Sequence, residues 1–410
     1  MRDKLGPGTT LSYCTNVFAT DSLEALALKI TEEVPQIRQH LGIDEPLGLG
    51  VCMPPYAYLT SNLGCVGIAR HLMPIFRGTD PSGTIPFTGA LCESNAQLLT
   101  INSFPARPFH SLCVKHLVYD PDWASEDRRS HTYHSESLVP CDSDLQSCSI
   151  STLPIGWPSD RDDSARVRKA AENLRVYAEG LANNREEANR IGEPPGPFIT
   201  LDLEPEPGCI LDTASDVIAF FDEHLPDEIL RKHIGVCHDV CHAAVMFEDQ
   251  REVLRRYAEA GISVNKVQIS SALDVDVATL GVETAIRNLK QFAEPRYLHQ
   301  TGMLHDAADP ESFELIEDLP EAIERLESGE SPDRIRVHFH VPVYLDAIGP
   351  LGTTNNQIAE AVAAAREYHD TKHFEVETYA WGVLPEHLKR ETLAEGIADE
   401  LKWVLKTCGV

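Results

Sequence analysis

The segment HIGVCHDVCHAAVMFED (233–249) packs two cysteines, three histidines and Asp239 into seventeen residues. Three chemistries fit these residue types. Cys237, His238, Cys241 and His242 together could form a zinc knot. The CxxxC pair could serve redox chemistry. Alternatively, Asp239 and His242 could be one strand's share of a larger site. The usual zinc pair is C-x2-C, and the spacing here is one residue longer. If 233–238 is extended, successive side chains point to opposite faces. Cys237 and Asp239 then share one face and His238 takes the other. That parity favours the shared site. It leaves the cysteines as small apolar packing groups, His238 as structural, and His233 as a cap at the strand start.

The same parity marks other segments. In FITLDLE (198–204), Thr200, Asp202 and Glu204 oppose Ile199, Leu201 and Leu203. In VNKVQIS (264–270), Lys266, Gln268 and Ser270 oppose Val267 and Ile269. In IRVHFHV (335–341), Arg336, His338 and His340 share a face, and in FEVETYA (374–380) so do Glu375 and Glu377. Burying ionisable groups together is costly unless they pair with one another or bind a metal. Deeper residues such as Arg336, Lys266, Asp202 and Glu375 fit an internal ion-pair network. Glu204, Asp239, Gln268, His340 and Glu377, at the far ends of their strands, fit a functional site. Three carboxylates, with Gln268, His242 or His340 as a further donor, suit Mn²⁺ or Mg²⁺, with Zn²⁺ also compatible. Such an ion acts as a Lewis acid on the hydroxyl and carbonyl oxygens of a sugar-like metabolite. The carboxylates can then move protons at the neighbouring carbon.

These strands need a frame that aims them at one axis. Eight apolar runs read as strands: 11–17, 47–52, 98–103, 198–204, 233–238, 264–270, 335–341 and 374–380. Amphipathic segments at 22–41, 165–191, 213–225, 251–261, 277–292, 318–329, 356–369 and 387–406 read as helices, with Asp21 and Glu24 spaced as a capping box. Repeated alternation of strand and helix implies a parallel sheet, and eight strands favour a (β/α)8 TIM barrel over an open sheet. Residues 104–164, rich in Pro, Ser and Asp, read as a long insertion after strand 3, within which SCSISTLPIGW (147–157) could be an extra strand. Residues 294–317 read as a second, shorter insertion. With no linker or repeat, 1–410 is expected to be a single domain.

Bulk properties bound the function. The chain has 410 residues, 42% of them hydrophobic, so it can bury a large core. Its formal net charge of −29 opposes nucleic acid binding, which needs Lys and Arg to displace counterions, and opposes anionic membrane surfaces. Eleven scattered cysteines with no CxxC pair read as reduced thiols of a cytoplasmic protein. The N-terminus lacks the apolar core of a signal peptide, and no apolar run approaches a membrane span.

GVCHDVCHAA (235–244) resembles the C-x-D-x-x-H signature on strand 5 of xylose isomerase-like TIM barrels, a superfamily that includes endonuclease IV and ketose 3-epimerases. LEPEPG (203–208) and EVETYAW (375–381) resemble its strand-4 and strand-8 glutamate signatures. An ordered series along nearly the whole chain is similar to the metabolite traffic protein EboE family: LSYCTNV, INSFP, VKHLVYDPDW, SISTLPIG, LEPEPGC, GVCHDVCH, KVQISSAL, YLHQ, HFHVPVY and EVETYAWGVLP. The resemblance implies a sugar isomerase-type barrel linked to export of a secondary-metabolite precursor. Its partners would be a small-molecule metabolite and members of that export pathway.

The resemblance also implies roles for residues. Glu204, Asp239 and Glu377 would hold a divalent metal, with Gln268 standing where the superfamily usually has His, and His340 as a further ligand. Glu204 and Glu377 would be the acid/base pair, with Glu206 an alternative to the first. His242, Asn16, Asn102, His299 and His338 would contact substrate, and Lys115 and His116 could reach the mouth. A competing expectation keeps the barrel and loses the chemistry: a non-catalytic metabolite-binding or traffic protein. A nuclease reading fails on charge.

Overall fold

In the computed structural model, residues 1–55, 87–109, 111–140, 144–158 and 163–409 are described. Short runs such as TLSYC and FITLDL, buried along nearly their whole length, pair in parallel into a closed barrel. Its strands are β1 (Thr10–Cys14), β2 (Leu47–Cys52), β3 (Ala96–Asn102), β4 (Ser147–Thr152), β5 (Phe198–Leu203), β6 (Ile234–Asp239), β7 (Val264–Ile269) and a last strand, His373–Val376. Between β7 and that last strand the chain makes a long excursion. This holds β8 (Leu273–Asp276), β9 (Thr301–Leu304), β10 (Phe313–Ile316), β11 (Arg334–Val337), β12 (Ala347–Ile348) and β13 (Leu351–Thr353), so the closing barrel strand is β14. The order around the barrel is β1-β14-β7-β6-β5-β4-β3-β2.

The excursion forms a second, antiparallel sheet in the order β10-β9-β11-β8-β13-β12. Two strand assignments made from the sequence change here. The segment 335–341 is not a barrel strand: β11 pairs with β8 and β9, and residues 338–341 continue as irregular chain. The barrel strand in its place is 147–152, the segment that the sequence offered only as an extra strand within the insertion. All six lie in register with β5, from Ser147 beside Phe198 to Thr152 beside Leu203. The count of eight holds because 147–152 takes the place of 335–341 in the barrel. As a result, Glu204, Asp239 and Gln268 belong to the fifth, sixth and seventh barrel strands. A long connection does follow β3, with a helix at Glu126–Glu136.

Helices lie where periodicity placed them at Leu23–Leu41, Ser164–Ile191 and Ala214–His224, whereas the last begins at Leu393 rather than 387 and the expected 277–292 is broken at Gly281 into Val277–Leu280 and Val282–Leu289. The cap of the first is Ser22, whose hydroxyl accepts from the Ala25 amide, rather than Asp21. A serine directly before the first turn holds its oxygen within reach of the N3 amide. The nine described cysteines are free, and Cys65 and Cys141 lie outside the described residues. No described helix is long and apolar enough to cross a membrane.

The barrel interior is polar. Glu375 of β14 accepts from Ser12 of β1 (3.3 Å) and Thr100 of β3, and pairs with Lys266 of β7 at 3.1 Å. A Cβ at Gly50 of β2 would lie 1.8 Å from the Glu375 carboxylate, so glycine there is what lets the carboxylate occupy the axis. Asp202 accepts from Ser149 (2.5 Å), Thr200 (2.8 Å) and Asn265 (2.7 Å). The expected ion pair therefore exists between Lys266 and Glu375, while Asp202 is held by neutral donors. Arg336 joins neither: it lies in the second sheet, 3.5 Å from Asp274 and bonded to the Ala244 carbonyl.

Candidate metal centre

Glu204 follows β5 by one residue, Asp239 ends β6, and Glu377 follows β14 by one residue. Because these strands are parallel, their ends meet at one mouth. Carboxylate oxygens of the three lie within 4.8 Å of one another, and their residues are only 3%, 2% and 6% exposed. Three buried carboxylates this close cannot all carry charge without a cation or protons between them. Burial, then Glu377 and Asp239, pushes the Glu204 carboxyl well above the carboxylate range. Burial, then Asp239 and Glu375, raises Glu377 to about 8. Burial would also raise Asp239, but the His242 and His340 rings, the Ser270 hydroxyl and the His242 amide hold it below its ordinary value.

Hydrogen bonding leaves a specific remainder. Asp239 Oδ1 accepts from Ser270 Oγ (2.7 Å) and the His242 amide (2.9 Å), while its Oδ2 has no hydrogen-bond partner. Glu204 Oε2 has none either, nor does either amide atom of Gln268. Gln268 is the register partner of Asp239 on one side and Glu375 on the other, so it faces the same interior. Buried oxygens without donors are what a cation would satisfy. Three carboxylates and one amide oxygen make a hard, oxygen-rich donor set that fits Mg²⁺ or Mn²⁺. Asn16 braces the cluster by donating to Glu377 Oε1 at 2.5 Å.

Above this floor sit three histidines. His242 comes from the helix Val240–Val245 that follows β6, and His338 and His340 from the irregular chain after β11. His338 Nε2 lies 3.2 Å from His242 Nε2 and 3.3 Å from His340 Nε2. Asp239 Oδ2 is 3.9 Å from Nε2 of both His242 and His340. Burial lowers His338 well below its ordinary value and takes His340 to about 4. His340 therefore groups with the other rings and with Asp239, rather than with Glu204 and Glu377.

The remaining expected residues divide. Asn102 lines the cavity, and its Oδ1 caps the Phe104 amide at 2.9 Å. Lys115 also lines it, with Nζ paired to Asp318. His116 points outward to Glu317 at 3.0 Å. His299 does not line the cavity: its Nδ1 meets the His338 carbonyl and its Nε2 meets Glu294, both at 3.0 Å. It supports the loop from behind. Its neighbour Gln300 instead bonds three residues that line the cavity: His338 through Nδ1, Tyr119 and Glu206. Neither Gln300 nor Tyr119 stood out in the sequence, although the segments YLHQ and VKHLVYDPDW contain them. Glu206 accepts from Tyr119 at 2.8 Å. The zinc-knot residues separate: His238 bonds Gln250 at 2.7 Å, while His242 faces the mouth.

No family model and no curated protein matches the chain. Solved structures do. A xylose isomerase-like TIM barrel protein from Mycobacterium smegmatis, in complex with magnesium, is 13% identical with a TM-score of 0.51, covering 98% of this chain and 96% of its own. An L-ribulose 3-epimerase is 12% identical with a TM-score of 0.44, covering 97% and 95%. A probable 3-DHS dehydratase, AsbF, from Bacillus anthracis is 11% identical with a TM-score of 0.41, covering 97% and 98%. The first of these, with the closed parallel barrel, gives the chain its fold: a xylose isomerase-like TIM barrel.

Proposed function

We propose that the chain is a metal-dependent isomerase or epimerase acting on a small polyhydroxylated or carbonyl metabolite. The observation that carries this is the buried triad of Glu204, Asp239 and Glu377 at the barrel mouth, with donorless oxygens on Glu204, Asp239 and Gln268. Glu204, Asp239, Gln268 and Glu377 would hold the ion. When bound, it would supply Lewis acidity to the carbonyl and neighbouring hydroxyl of the substrate. Magnesium in the Mycobacterium smegmatis protein makes Mg²⁺ the first ion to try, with Mn²⁺ and Zn²⁺ next.

Glu377, raised in the metal-free site by burial and then by Asp239 and Glu375, is a candidate to move a proton at the neighbouring carbon. Glu204, raised beside it, is its counterpart. Asn16 orients Glu377 through its 2.5 Å bond. Asn102, His242 and His338 line the same cavity and are offered to substrate hydroxyls. Phe104, Phe109, Tyr297 and Tyr379, also in the lining, would keep water away. We read the whole chain as one domain, because the excursion supplies part of the mouth.

The test is deuterium wash-in. Metal-loaded protein is incubated in D2O with a panel of ketoses and aldoses, and exchange beside the carbonyl is followed by NMR. Metal-dependent exchange that is lost in Glu377→Gln supports the reading. No exchange with any metal and any sugar in the panel defeats it.

A second reading rests on Gln268. An amide oxygen is a weaker ligand than the imidazole that the resemblance places there. With the likeness to the EboE family, it favours a cytoplasmic metabolite-binding protein that hands a secondary-metabolite precursor to export partners. Tight ligand binding without solvent exchange would favour it over the enzyme.

A further inference from the structure

The geometry points to a second, nitrogen-rich metal site directly above the carboxylate cluster, formed by His242, His338 and His340 and sharing Asp239 with it. The argument begins with proton positions. His242 Nδ1 lies 2.8 Å from the Pro205 carbonyl, and His340 Nδ1 lies 3.0 Å from the Glu377 carbonyl. A carbonyl only accepts, so both Nδ1 atoms carry the hydrogen and both Nε2 atoms are bare lone pairs in the neutral rings. His338 Nδ1 lies 2.8 Å from Gln300 Oε1. That amide cannot be flipped, because Gln300 Nε2 donates to the Pro207 carbonyl (3.0 Å), which cannot donate in return. A neutral His338 is therefore also bare at Nε2.

Three bare lone pairs then face one another at 3.2 and 3.3 Å. Lone pairs this close repel and need a Lewis acid between them. Zinc–imidazole bonds of about 2.0–2.1 Å in a tetrahedron put neighbouring nitrogens about 3.3–3.4 Å apart, which matches both spacings. Asp239 Oδ2, buried and without a hydrogen-bond partner, lies 3.9 Å from two of the three nitrogens. It supplies the oxygen of an N3O set. The Pro205, Glu377 and Gln300 oxygens behind the rings are the outer contacts that fix the orientation of metal-bound histidines. Imidazole-rich ligation selects a borderline ion of the zinc class, whereas the carboxylate floor suits a harder one. Asp239 would bridge the two, as in paired-metal centres with ions about 3.5–4 Å apart.

The test counts metal on the full chain. Protein stripped with chelator is dialysed against Zn²⁺, and bound zinc is measured by elemental mass spectrometry. Wild type should hold two equivalents, and His338→Gln/His340→Gln one. Glu204→Gln/Glu377→Gln should also hold one, and X-ray absorption of that zinc should show imidazole scattering. This last variant keeps the inference separable from the proposed activity, since it can fail as an isomerase and still hold the histidine-bound ion. Wild-type zinc in a purely oxygen environment overturns the inference, without relying on any variant to fold. So does zinc binding that is unchanged in the histidine variant, whereas a single zinc with imidazole scattering that is lost in that variant upholds the histidine site and counts only against zinc on the floor. A single extra proton on His338, shared by its neighbours, gives one of those overturning results.

Discussion

The floor and the roof of the mouth were built by different parts of the chain. The floor residues Glu204, Asp239 and Glu377 stand at the ends of β5, β6 and β14, strands locked by parallel pairing on both sides. Of the roof rings, two hang on irregular chain after β11, with Nδ1 oriented by Gln300 and the Glu377 carbonyl. Strand ends fix direction through the pleat. Loop residues take direction only from what they touch. The floor should therefore be unforgiving of substitution and the roof tunable.

The largest expected effect is on the floor. Glu377→Gln keeps the shape and removes the poised carboxyl, and solvent-exchange turnover should fall by about 10²–10⁴-fold, measured by NMR under saturating metal. Equal turnover in the variant would move the acid/base role off the floor. Next comes the ionic layer beneath it. Lys266→Met leaves Glu375 buried and unpaired, which should cost about 3–5 kcal/mol in urea unfolding; a cost near zero would mean the layer contributes only polarity.

Outer contacts of the roof should matter less. Gln300→Leu frees His338 while leaving every floor residue in place. Zinc affinity at the histidine site should weaken by about 10–100-fold, read by competition with a chelator, while the carboxylate-bound ion stays. Loss of both would show that floor and roof are a single unit.

A pH series sharpens the same contrast. Glu377 moves from its ordinary 4.5 up to about 8 on folding. Below 4.5 both folded and unfolded chains hold this proton. Between 4.5 and about 8 only the folded chain does, so metal-free stability should fall as pH rises through that window. Metal must displace the proton, so floor affinity should rise about tenfold per pH unit until about 8. A flat affinity profile from pH 6 to 8 would contradict the raised carboxyl. The smallest effect is a control outside both regions: His116→Ala breaks the half-exposed pair with Glu317 and should change stability by less than about 1 kcal/mol.

The floor was legible in the sequence because its signal is local. Alternation in FITLDLE and FEVETYA marks Glu204 and Glu377 without knowledge of any neighbour. The barrel was legible for the same reason, helix by helix. The second sheet was not: Arg334–Val337 alternates like any half-buried strand, and nothing local says that its partners are Leu273–Asp276 and Thr301–Leu304. The fourth barrel strand was legible only as an extra strand within the insertion, because Ser149 and Ser151 face a polar interior where apolar residues are the usual signature of a barrel strand. His299 and Gln300 show the finest limit. They are adjacent in sequence, and only the direction of the backbone makes one a prop for the His338 carbonyl and the other a partner of its ring.

The excursion from β7 to β14 has a consequence for how the molecule is made. β14 closes the barrel by pairing with both β1 and β7, yet it is synthesised after the whole second sheet. Bringing such distant strands together carries a loop-closure cost and makes for slow, late assembly. Seven strands must wait on the ribosome with an open seam between β1 and β7, and Glu377 arrives with the last of them. The three-carboxylate cluster is thus completed only at the end of synthesis, and a nascent chain ending before Glu377 would lack one of its three carboxylates.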